Sequence, residues 1–114
     1  KVAGPAALLV AKIHKISERS TQASDRLRDK DALDVLRLLQ ATDSAELANS
    51  LTLLADDKLS HAVTTEAMVI VPALFGDANS VGVKMAVRAP GLGADPAVIS
   101  ASLTSLVDDF VALL

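Results

Sequence analysis

Apolar residues recur along most of this chain at the three- and four-residue spacing of an α-helix. The clearest run comes last. Ile99, Leu103, Leu106, Phe110 and Leu113 follow at steps of four, three, four and three, which places all five on one helical face. Asp95-Pro96 supplies a cap and a first residue for that helix, so the pattern predicts a central final helix with a buried stripe. At the other end, Gly4-Pro5 opens a helix that should run to about Arg19, with Leu9, Ile13 and Ile16 as its core stripe. The polar stretch 20–28 reads as a loop. Asp29 then reads as the N-cap of a second helix over roughly residues 30–40, with Ala32, Val35, Leu36 and Leu39 on its buried face.

Three more elements follow. Asp43 with Glu46 three positions later forms the start signal of a third helix. Leu47, Leu51 and Leu54 continue it, and it should fade near Asp56-Asp57. Thr64 is placed to cap a fourth helix that Gly76 ends after Phe75. Pro72 inside it predicts a kink or break near Val71. Residues 80–88 carry both alternating and helical apolar spacing. Helix is the better reading, because one short strand has nothing to pair with. Pro90-Gly91-Leu92-Gly93 reads as a turn. The expectation is an all-α fold: a compact bundle of five or six helices in a single domain spanning residues 1–114.

Composition sharpens this picture. The chain is 51% hydrophobic, mostly Ala, Leu and Val, with two aromatic residues, and Ala and Leu are strong helix formers. There is no cysteine, which excludes disulfides and thiolate metal sites and suits a reducing, cytoplasmic compartment. The apolar runs are too short to span a membrane. No signal-peptide pattern stands at the amino terminus. The chain opens at Lys1-Val2-Ala3-Gly4 without an initiator Met, so it is expected to be the carboxy-terminal piece of a longer protein. The net charge is −3 and unevenly spread. Residues 1–40 hold eight Lys and Arg against five acids, and the remainder three against nine. An anionic partner should therefore meet the first third.

Candidate chemistry lies in that same third. The segment Ala6–Ala11 is apolar on every side, and Lys12 interrupts it at the edge of the core stripe. Lys15 and Arg19 follow on the same flank at i+3 and i+7. A lysine there either extends its ammonium past an apolar stem to water or meets a phosphate or carboxylate in a partly desolvated cleft. On the second helix, Asp31 and Asp34 are i, i+3 neighbours and Lys30 can reach Asp34 at i+4. First-turn acids complement the helix dipole, and two carboxylates on one turn are a weak metal signal. His14 and His61 have no zinc-type partner spacing. No nucleophile elbow, phosphate-cradling loop or dinucleotide fingerprint occurs, so no catalytic or metal-ligating set is assigned to this chain by itself.

The segments Ala6-Ala7-Leu8-Leu9-Val10-Ala11-Lys12-Ile13-His14-Lys15-Ile16 and Lys30-Asp31-Ala32-Leu33-Asp34-Val35-Leu36-Arg37-Leu38-Leu39 resemble the back half of AbiEii-type nucleotidyltransferase-like proteins. In that family a Lys on one helix precedes a Lys/Arg-Asp-x-x-Asp-hydrophobic segment on the next. Members join a mixed α/β core to a helical region, and some act as bacterial toxins or defence proteins that transfer nucleotides. The resemblance covers residues 5–40 and maps the family's lysine onto Lys12 and its acids onto Asp31 and Asp34. It implies a nucleoside triphosphate, Mg²⁺ and an amino-terminal catalytic domain as partners, with Lys12, Lys15, Arg19, Lys30, Asp31 and Asp34 as candidate nucleotide-binding residues. The chain departs from the family in having no Gly-Ser turn, and its one Asp-x-Asp, Asp29-Lys30-Asp31, opens a helix rather than lying on a strand. The metal-binding half is therefore expected elsewhere, and this piece should be inactive alone. The alternative is a non-catalytic helical interaction module, suggested by the apolar first helix. A helix-turn-helix DNA reader would need a basic start to the helix after the turn, where Asp56-Asp57 stands instead.

Overall fold

The computed structural model describes residues 4–19, 25–89 and 95–114. Its elements are α1 (Pro5–Arg19), α2 (Asp25–Ala41), α3 (Ser44–Asp56), α4 (His61–Phe75), α5 (Val81–Arg88) and α6 (Pro96–Ala112). No strand occurs among the described residues, so the fold is an all-α bundle of six helices. One continuous apolar cluster draws on all six, from Leu9, Ile13 and Ile16 of α1 to Leu103 and Phe110 of α6. α2 packs against α1, α5 and α6, while α6 also touches α3 and α4. The expected turn at 90–93 lies outside the described residues.

Local start signals act where they are free to. Asp43 caps α3 by accepting a hydrogen bond from the Glu46 amide at 3.2 Å. Asp95 caps α6 through the Ala97 amide at 2.8 Å, with Pro96 in the first position. Both satisfy amides that a helix start leaves unbonded.

Two helices begin earlier than their sequence signals indicate. α2 starts at Asp25 rather than near residue 30, so the expected loop 20–28 loses its last four residues to helix. Asp29 is no cap: it is buried inside α2. It continues the stripe of Ala32, Leu33 and Leu36 at i+3, i+4 and i+7, one turn further back. α4 starts at His61, not after Thr64, which is itself buried in the helix. The cause is the preceding helix end. Ser60 Oγ donates to the Leu54 carbonyl at 2.6 Å and His61 Nδ1 to the Ala55 carbonyl at 2.6 Å. Two of the last carbonyls of α3 thus find donors at the threshold of α4.

Pro72 does not break α4, which continues to Phe75. The proline is exposed, while Val71, Leu74 and Phe75 around it are buried and hold the last turn in place. Gly76 ends the helix in a right-handed conformation, φ −72° and ψ −25°, rather than as a left-handed cap. A side chain there would collide with the Pro72 carbonyl oxygen. Gly82 serves a close approach of α5 to the end of α4: a Cβ would stand 2.6 Å from both the Leu74 carbonyl oxygen and the Phe75 ring.

The buried stripe of α6 is Ile99, Leu103, Val107 and Phe110. Leu106 is half-buried and Leu113, which caps the helix end, is 57% exposed. Steps of four, three, four and three follow the ideal helix closely, but the neighbouring helices turn the contact line toward Val107 and stop short of Leu113. α1, likewise, is not buried all round, since Leu8 and Ala11 face outward.

Leu103→Ala should therefore destabilise the fold by about 2–5 kcal/mol, while Leu113→Ala stays within about 0.5 kcal/mol. Urea unfolding of the two variants checks the contrast. Gly82→Ala should cost about 1–3 kcal/mol by overpacking the α4–α5 contact, although alanine is the better helix former; a stabilised variant would contradict the close approach.

Candidate functional site

Lys12 projects from the third turn of α1 across the seam with α2. Its Nζ donates to Asp34 Oδ2 at 2.9 Å and to Asp31 Oδ1 at 3.3 Å. The two acids, one turn apart, present carboxylates to the same point, as their i, i+3 spacing requires. Asp31 is buried, whereas the side chains of Lys12 and Asp34 are each a quarter exposed. Lys30 Nζ stands 3.8 Å from the same Asp34 oxygen. The structure thus gathers Lys12, Lys30, Asp31 and Asp34 into one cluster at the rim of the α1–α2 seam. Lys15 is exposed on α1 and takes no part in it. The side chain of Arg19 lies outside the described residues.

With two cations and two carboxylates, the cluster is formally neutral. Hydrogen bonding to Asp34 raises the Lys12 pKa above its ordinary value; burial opposes this, and Asp31 adds to it. The ammonium is therefore charged throughout the physiological range. Asp31 and Asp34 turn their oxygens toward that ammonium, so the pair does not by itself form a divalent-cation site. Among the described residues no three His, Cys, Asp or Glu side chains are placed to hold a metal ion.

A second pair escaped sequence reading. Arg88, at the end of α5, donates through Nη2 to Asp29 Oδ1 at 3.1 Å and through Nε to Oδ2 at 3.5 Å. Asp29 is buried and Arg88 half-exposed. The partners are 59 positions apart, and the one available signal was the place of Asp29 on the apolar stripe of α2. His14 Nε2 donates to the Val63 carbonyl at 2.9 Å, tying α1 to α4. An apolar trough of about 320 Å³ runs beside this contact, lined by Ala7, Val10 and Ala11 of α1 with Leu54, Val63 and Thr64. No described helix is long and apolar enough to cross a membrane.

A lysine whose pKa is raised by folding contributes stability that is complete below its unfolded pKa and is lost as pH rises through the folded one. Lys12 should therefore steepen the loss of stability above its ordinary value of 10.5. As pH rises through and beyond that value the denaturation midpoint should fall further for the natural chain than for Lys12→Met. At pH 7 that variant should be less stable by about 1–3 kcal/mol, because two carboxylates lose a shared cation. Equal pH slopes for the two proteins would mean that the pair contributes nothing in solution.

Comparison of the chain with models of protein families, with curated proteins and with solved structures gave no match.

Proposed function

We propose that this chain is the helical half of an AbiEii-type nucleotidyltransferase-like protein and sets Lys12 at the rim of a nucleotide-binding cleft that another domain completes. One observation carries the reading. The residues singled out by the resemblance, 19 and 22 positions apart in the chain, meet across the α1–α2 seam within hydrogen-bond distance. An ammonium has three N–H donors. Asp31 and Asp34 engage two, leaving one for a phosphate oxygen. Asp31, buried beneath, acts as the positioning residue that fixes where the charge stands. Lys30 and the exposed Lys15 add positive charge near the rim, and desolvation on closing the cleft would strengthen the contact with a nucleotide phosphate. Mg²⁺, held with the nucleotide by the other domain, would neutralise the triphosphate; the residues of this chain only bind and orient.

This chain alone should transfer no nucleotide. Incubated with labelled nucleoside triphosphates, Mg²⁺ and cell extract, it should label nothing, and robust Mg²⁺-dependent labelling would overturn the division of labour. In the full-length protein, Lys12→Ala should lower transfer by about 10²-fold or more while circular dichroism still reports the helices. Retained transfer would instead favour the second reading, a non-catalytic helical interaction module. That reading draws on the trough beside α1, which has the exposed Val63 in its wall and the exposed Leu53 in the depression adjoining it.

A further inference from the structure

A different flank of α2 meets the beginning of α6 in a groove of about 270 Å³. Its floor is apolar: Leu33 and Leu36 of α2 and Ile99 of α6, all buried, with the exposed Val98 as one wall. Three polar side chains stand around that floor, Arg37 and Gln40 from α2 and Ser102 from α6. None of the three has a hydrogen-bond or ion-pair partner among the described residues. The acid nearest to Arg37 along α2, Asp34 at i−3, is committed to Lys12 and Lys30. Arg37 is thus a cation without a counter-charge, set over apolar surface and flanked by an amide and a hydroxyl whose bonding capacity is unspent.

We infer that this groove binds a small carboxylate with a short apolar body, of the size of benzoate or hexanoate. The planar guanidinium matches a carboxylate in a fork of two parallel hydrogen bonds. The Ser102 hydroxyl and the Gln40 amide can each donate to the same oxygens. The floor takes the hydrocarbon, whose removal from water supplies the non-polar part of the affinity. The volume lies just under the usual range for ligand pockets, which suits one ring or a short chain and is too small for a folded peptide segment. A neutral amide of the same size would leave the Arg37 charge unanswered. Inorganic phosphate would leave the floor uncovered. The inference is independent of the nucleotide reading, because it uses none of the Lys12 cluster.

The test is a titration of the ¹⁵N-labelled chain with sodium hexanoate and sodium benzoate, followed by amide chemical shifts. Hexanamide and inorganic phosphate serve as controls. At least one carboxylate should give saturable shifts confined to residues 33–40 and 98–102, with a dissociation constant in the millimolar range. Hexanamide and phosphate should bind about tenfold or more weakly, as should hexanoate to Arg37→Gln, since a charge-assisted pair is lost in each case or the apolar contact is missing. Ser102→Leu, which fills the groove, should abolish the shifts while the rest of the spectrum stays unchanged. The inference is overturned if neither carboxylate gives a saturable response, if hexanamide or phosphate binds as well as hexanoate, or if Arg37→Gln binds with unaltered affinity.

Discussion

Taking a carboxylate out of water is costly unless a cation comes with it. α2 buries two, Asp29 and Asp31, within its first two turns. That constraint reaches well beyond α2. Asp31, with Asp34, requires Lys12 and so sets how far α1 slides along the seam. Asp29 requires Arg88 and sets where α5 ends. Apolar contacts between these helices are non-directional and would tolerate a shift of a turn; the two charge pairs would not. The buried stripes supply most of the driving force, and the ionic contacts choose one arrangement among those that the stripes permit.

How much of this was legible depends on how local each signal is. The caps at Asp43 and Asp95 were readable because a side chain and the amide it bonds lie within three residues of each other. The helices they start fall where the sequence indicates. The first residues of α2 and α4 were not readable in this way. Asp29 has the chemistry of a cap, but a residue far along the chain neutralises it and lets it sink into the core. Ser60 and His61 begin α4 by bonding carbonyls of the helix before, a contact that no helical periodicity encodes. The stripe of α6 was read correctly for three of its members. Leu106 and Val107 stand at i+3 and i+4 from Leu103, one on either side of the stripe's axis, and only the packed partners decide between them. That Lys12 meets a carboxylate in a partly desolvated cleft was one of two legible outcomes, because it borders an apolar stripe that has to be packed; the structure supplies Asp31 and Asp34 as the partners. The Arg88 contact, with no such guide, was not legible.

The Lys12 cluster and the α2–α6 groove are opposite cases of the same electrostatics. In the first, a lysine is surrounded by acids, so its charge is spent on geometry and one remaining donor is available. In the second, an arginine has no ion-pair partner among the described residues, the nearby Asp34 being engaged by Lys12 and Lys30, so its charge is available to an incoming anion. The excess of basic residues in the first third of the chain is thus distributed unevenly in function as well as in number. Lys12 and Lys30 are engaged by Asp31 and Asp34, whereas Arg37 keeps a positive charge beside apolar surface.

The short bridges from Ser60 and His61 back to the end of α3 also bear on the order in which the bundle can assemble. They close over six residues, so the chain gives up little loop entropy to make them. The α3–α4 hairpin can form from local contacts alone. The Arg88–Asp29 pair has to bring together positions 59 apart, and it rewards the chain only once α2 and α5 are already docked. The entropy lost in closing the chain is therefore smaller for the α3–α4 hairpin than for the α2–α5 contact, which favours early formation of the hairpin.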